Sequence, residues 1–241
     1  MKWIFVLVVL QLVPNHLFAQ IYGCTDTEAK NYNPNAILNN GSCQYQMKKV
    51  KPLFSIPISN AIHESSGLLF WKGKLWSIND DGDTNLYSFD TIGTHTQKHE
   101  LAIVKNKDWE AIAQDSTHIY VGDFGNNVTG NRTDLHILKI DKSSLLSNKT
   151  RIDTLFFSFE NQIHFGQLKV NTTNFDCETV LVTQDSLYLL TKEWSSKKTS
   201  LYVLPKTKGT HQARFKALLD VNGLITGGVL LEDKKLIALC G

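Results

Sequence analysis

From residue 52 onward, apolar positions come in short bursts separated by polar turns. "GLLFW" (67–71), "KLWSIN" (74–79), "NLYSFD" (85–90), "HIYVGDF" (118–124), "LHILKI" (135–140), "TLFFSF" (154–159), "SLYLLT" (186–191), "SLYVLP" (200–205) and "KLIALC" (235–240) are rich in β-branched, aromatic and leucine side chains. Gly, Asn and Asp punctuate them, and no long segment carries a 3.6-residue period. This is the pattern of an all-β chain.

Within the pattern a short phrase recurs. "DWEAI" (108–112) and "DCETV" (176–180) each place two acids two residues apart, and Tyr120 and Tyr188 follow Glu110 and Glu178 by ten residues, with "QDS" in between. "ESSGL" (64–68) is a third copy, in which Glu64 matches Asp108 and Asp176, Ser66 matches Glu110 and Glu178, and Trp76 takes the aromatic slot. "ITGGV" (225–229) is a fourth start without acids, with Ile237 in that slot. The copies lie roughly 45 to 70 residues apart, the period of propeller blades with loop insertions. Around the second copy, strands are expected at 109–114, 118–124, 134–140 and 150–158, a four-stranded antiparallel meander and the unit of a β-propeller. The alternative all-β architecture is a sandwich, for which fewer matching repeats are expected. About three and a half blades fit into 53–241, so the ring reads as incomplete. "LFSIPI" (53–58) is expected as an outer strand if the ring closes with four blades.

The N-terminus is organised differently. "MKWIFVLVVLQLVPNHLFAQ" has one lysine, an apolar run too short for a comfortable membrane span, and Ala19 before Gln20. A cleaved signal (1–19) and an uncleaved anchor are the two readings, and the first is favoured; it implies a secreted, periplasmic or cell-surface protein with no membrane span after cleavage. Residues 20–46 are turn-rich, with almost no core of their own. Cys24 and Cys43 bracket this loop, and export to an oxidising compartment makes their disulfide the expected staple. Cys177 and Cys240 either pair or remain free. Residues 47–52 read as a linker. In 241 residues, 25 basic side chains balance 23 acidic ones, which argues against a nucleic-acid surface driven by charge.

The candidate chemistry lies in the repeated acids. Side chains two apart on a strand share a face. In a propeller the first strand of each blade lines the channel, so Glu64, Asp108, Glu110, Asp176 and Glu178 would gather at one mouth, with Asp123 on the turn after the second strand. Such carboxylates repel one another unless a cation balances them. Lys192 is one partner and calcium, a hard oxygen-seeking ion, is another. The alternative is structural: the same acids fasten one blade to the next. "NDDGDTN" (79–85) has calcium-loop spacing at its start but lacks the later glycine and glutamate, so a hairpin turn explains it better. The chain has no phosphate loop, no nucleophile elbow and no paired histidines at zinc spacing. Binding of an extracellular small molecule, glycan or protein at the mouth is the leading reading. A metal-dependent hydrolase of phosphoesters or lactones, and an adhesive module, are the alternatives.

Two resemblances bear on this. Gly23, Cys24, Thr25, Asp26, Ala29, Asn31, Tyr32, Pro34, Ala36, Gly41, Ser42 and Cys43 match a short G-C-T-D…G-S-C module of secreted Bacteroidetes-type proteins, which implies export. "ESSGL", "WSINDDGD", "DWEAIA", "IYVGDFGNN" and "LYLLTKEW" resemble a group of exported bacterial β-propellers, with distant similarity to phytase-like esterase and lactonase-type propellers. That resemblance implies a six-bladed ring with its site at the channel mouth. It leaves activity open, because propellers serve both as enzymes and as binding scaffolds.

Overall fold

The computed structural model describes residues 20–46, 51–147, 149–231 and 236–241. The signal-like segment and most of the 47–52 linker lie outside the described residues. The chain divides between Ser55 and Ile56 into two compact units.

In the first unit, β1 (Tyr22–Gly23) pairs in parallel with β2 (Leu38–Asn39). The disulfide joins Cys24 and Cys43, with their Cα atoms 4.8 Å apart. Side-chain amides do much of the remaining work. Asn31 donates to the carbonyl of Ser42 at 2.6 Å and accepts from the amide of Gln44 at 2.7 Å. Asp26 and Asn33 each accept from the amide two residues on, closing local turns. A segment this short, with little apolar surface to bury, is held by a staple and turns.

The second unit is built of antiparallel meanders. β3 (Ser65–Trp71), β4 (Lys74–Asn79), β5 (Asn85–Phe89) and β6 (Gln97–Glu100) form a four-stranded sheet. β7 (Trp109–Gln114), β8 (His118–Asp123), β9 (His136–Asp141) and β10 (Ile152–Phe159) follow in order. So do β11 (Asp176–Val182), β12 (Ser186–Lys192), β13 (Thr199–Pro205) and β14 (Gly209–Leu219). The final strands β10 and β14 pair in parallel, so these two runs make one eight-stranded sheet, ordered β11-β12-β13-β14-β10-β9-β8-β7. A hairpin of β15 (Gly227–Leu231) and β16 (Leu236–Cys240) comes last. The first strands stand side by side: β3 against β7, β7 against β11, and β11 against β15. One turn of helix, α1 (Lys142–Leu145), interrupts the all-β order; Asp141 caps it by accepting from the amide of Ser144 at 3.0 Å.

The pairing register accounts for the ten-residue spacing. Leu69 lies opposite Trp76, Ala113 opposite Tyr120, Leu181 opposite Tyr188, and Leu230 opposite Ile237. In each hairpin the residue three past the acid slot faces the residue ten past it. The two "QDS" triplets are not equivalent. Asp115 closes its turn by donating its amide to His118, whereas Thr183 does so to Ser186, which places the second triplet two positions later in its hairpin.

The strand expected at 53–58 for a four-bladed ring is not formed; these residues join no ladder. Pro52 and Pro57 supply no backbone donor, and Leu53 is 98% exposed.

The main core alternates as a pleated strand requires. On β10, Leu155, Phe157 and Phe159 are buried among Tyr120, Phe124, Leu187 and Tyr202, while Phe156 between them is 45% exposed. Phe157→Ala is expected to destabilise the protein by roughly 3–5 kcal/mol through the cavity it leaves. Phe156→Ala should change stability by about 1 kcal/mol or less. Urea unfolding of both variants checks the assignment of faces.

Candidate functional site

A bulge recurs at the acid slot. Between Trp109 and Ala111 the register of β7 slips by one residue against β8, leaving Glu110 as the extra residue. The same slip between Cys177 and Thr179 makes Glu178 the extra residue of β11, and another lies between Ser65 and Leu68 of β3. A bulge bends the strand and re-aims the side chain it carries. Strict alternation, with Asp108 and Glu110 on one face of a strand, therefore does not describe the site. Asp108 precedes β7, and the bulge turns Glu110 toward it.

Five carboxylates meet here. Single oxygens of Asp80, Asp108 and Glu110 lie within 4.8 Å of one another, and so do those of Glu110, Asp176 and Glu178. Glu110 belongs to both groups. Asp176 is fully buried and Glu178 is 5% exposed. Asp176 accepts from the amide of Asn126 at 2.6 Å and from the indole Nε1 of Trp194 at 2.7 Å. Glu178 accepts from Lys192 Nζ at 2.7 Å, and that ammonium sits 4.5 Å over the Trp194 ring. Gly125 closes the site from the β8 side. A Cβ there would fall 2.3 Å from Asp108 Oδ2 and 2.6 Å from Glu110 Oε1, so only glycine lets the backbone pass this close.

The electrostatics follow from crowding. Burial, then Asp80, raises the Asp108 carboxyl to about 7. Burial, then Glu178 and Asp108, raises Glu110 to about 10. Burial and Asp176 raise Glu178 to about 7, against the opposing pull of Lys192. Burial also raises Asp80 and Asp176. Asp80 lies close to Asp108, and Glu110 close to Glu178, one oxygen of each within 4.8 Å of the other. Acids raised in this way keep their protons, which removes the charge that a cation would otherwise balance.

The remaining sequence candidates fall in different places. Lys192 lies in the cluster. Glu64 lies on the wall of the adjoining cavity, about half exposed, with His63 3.9 Å away; it belongs to neither carboxylate group. Asp123 is buried and belongs to neither group; it pairs with Arg132 Nη2 at 2.6 Å and accepts from the Lys107 amide at 3.0 Å. Ser66, in the acid slot of β3, donates its hydroxyl to the Trp109 carbonyl and so ties β3 to β7. The calcium-like spacing at 79–85 forms a turn: both oxygens of Asp83 are taken by donors from Asn79, Asn85 and Tyr87. Asp80, in that same stretch, is the site residue the repeat did not reveal. Its signal was positional, since it follows β4 directly, at the strand end where the acids collect.

A cavity of about 830 Å³ opens beside the cluster. Asp80, Glu110, Glu178 and Glu64 mark its acidic side; Leu68, Ile112, Val180, Val229 and Leu239 form an apolar wall. All four first strands, β3, β7, β11 and β15, contribute to it.

No family model and no curated protein matches the chain. Among solved structures it is similar to one described as RS223-Beta-xylosidase, at 14% identity and a TM-score of 0.44, covering 71% of this chain and 62% of that one. It is also similar to the computationally designed Ika4 protein, at 9% identity and a TM-score of 0.36, covering 80% of this chain and 98% of that one. The chain thus spans less than two thirds of the xylosidase structure's length.

The raised carboxyls set a pH dependence. An acid whose folded pKa lies above its unfolded value holds its proton in the folded state after the unfolded chain has lost it, so stability falls as pH rises through that interval. For Asp108 and Glu178 the interval runs from the ordinary carboxylate range to about 7, and for Glu110 on to about 10. Cation-free protein should lose stability steadily from pH 5 to 9, by at most about 1.4 kcal/mol per pH unit for each proton retained. Glu110→Gln should flatten the upper part of that slope in urea titrations at fixed pH.

Proposed function

We propose that this chain is an exported β-propeller that holds a divalent cation at the mouth of its channel and presents it to a small extracellular ligand in the adjoining cavity. The observation that carries this reading is the place of Glu110: it joins two groups of three close carboxylates and stands on the cavity wall. Carboxylate oxygens are hard ligands, which makes calcium the first ion to try. The propeller reading is supported by consecutive antiparallel meanders whose first strands lie side by side. Export is supported by the Cys24–Cys43 disulfide. Among the described residues no helix is long and apolar enough to cross a membrane.

A second reading, hydrolysis by a metal-activated water, is favoured by one feature: the cavity reaches Glu110 and Glu178 directly. That leaves room on the metal for water or substrate, as a catalytic ion needs and a structural ion does not.

Thermal melts in EDTA and then in millimolar calcium test the proposal. A ligand that binds only the folded state at a hundred times its Kd adds about 2.7 kcal/mol. In a chain of this size that corresponds to a rise of roughly 5–10 °C. Glu110→Gln should remove the calcium response. A melt indifferent to calcium in the wild type contradicts the reading and leaves the acids as fasteners between sheets. Turnover of a model phosphoester that is lost in Glu110→Gln selects the hydrolase.

A further inference from the structure

We infer that the site holds two cations rather than one, with the Glu110 carboxylate bridging them. The inference rests on the cation-binding reading above and specifies its stoichiometry. One position lies among Asp80, Asp108 and Glu110, the other among Glu110, Asp176 and Glu178; in each, one oxygen from every residue lies within 4.8 Å of the others.

Charge points to the same count. Asp123 is neutralised separately by Arg132 at 2.6 Å. Among the described residues, the five clustered carboxylates have one ion-pair partner, the ammonium of Lys192 on Glu178. Four negative charges then remain when the acids are ionised, the charge of two divalent ions. A single dication would leave two of the carboxylates to be balanced by protons instead.

One buried, unpartnered oxygen belongs to the first group, and another belongs to a residue that lines the cavity beside the second. Asp80 Oδ1 is buried and accepts no hydrogen bond from the protein. The hydroxyl of Thr179, a residue 2% exposed, also has no protein partner; Thr179 lines the cavity together with Glu110 and Glu178. Buried polar oxygens rarely go without a partner. Asp80 thus keeps an unpartnered oxygen within the first group, and Thr179 stands on the cavity wall beside Glu110 and Glu178 with its hydroxyl unpartnered; hard oxygens of this kind are what calcium takes.

The bridging carboxylate also gives the bulges a purpose. Asp108 and Asp176 stand at the starts of neighbouring first strands. The bulge on β7 carries Glu110, the residue common to both groups.

The test is equilibrium dialysis of the purified full chain against calcium and, in parallel, manganese, with bound metal counted per chain. Two ions per chain are expected in the wild type. Asp80→Asn and Glu178→Gln should each reduce the count to one, and Glu110→Gln should weaken both ions at least tenfold. Circular dichroism and urea melts confirm that each variant is folded. Should Asp80→Asn fail to fold, Asp108→Asn takes its place. One ion per chain in the wild type overturns this inference and leaves the cation-binding reading intact. No ion of either metal overturns both. Two ions with counts unchanged in Asp80→Asn and Glu178→Gln would place the ions elsewhere and overturn the bridge.

Discussion

Like charges forced together out of water are the constraint on which the rest of this site depends. Five carboxylates converge against one ammonium, and two of them, Asp176 and Glu178, are nearly or fully buried. Such a cluster cannot be fully ionised by itself, so protons stay on Asp108, Glu110 and Glu178 at pH values where free acids have lost them. The fold carries that burden through specific supports. The Asn126 amide and the Trp194 indole hold Asp176, Lys192 holds Glu178, and the bare backbone of Gly125 lets Asp108 and Glu110 approach. A protein that only needed its sheets fastened has a less costly device in this same chain: Ser66 ties β3 to β7 with one neutral hydrogen bond.

The cores explain how that burden is tolerated. The acids sit at the ends of strands whose interior residues are closely packed, with Tyr120, Phe124, Phe159 and Tyr202 in one cluster and Trp76, Ile78 and Trp109 in another. Burial of such side chains stabilises the sheets by an amount that scales with apolar area. A strained polar site can persist where the surrounding structure over-determines it.

Much of this was legible in the sequence. Short apolar bursts and turn residues gave the strands of the second meander to within two residues, because strand faces are set by local alternation. The acids Glu110 and Glu178 were visible because they recur at a fixed distance from Tyr120 and Tyr188, a distance that hairpin register imposes. Three features were not legible, each for a physical reason. The bulges are insertions in pairing, which a single strand cannot reveal. Asp80 joins the cluster through the packing of β3 and β4 against β7, a contact between residues far apart in the chain. Asp123 reads as one more acid at the mouth, yet Arg132, nine residues on, claims it. The 53–58 segment resembles a strand in its apolar residues, yet Pro57 within it and Pro52 just before it supply no donor for a ladder.

The central claim is that a cation takes the place of protons shared among these acids. The most direct measurement is calorimetric titration of calcium at pH 7 in buffers of differing ionisation enthalpy, which counts the protons released. Deprotonation must accompany metal binding to protonated ligands. The account predicts release of at least one proton per ion bound, rising as pH falls toward 5 while affinity weakens, and lost together with calcium binding in Glu110→Gln. Calcium binding without proton release would mean that the ion sits away from the crowded acids, and would contradict the account.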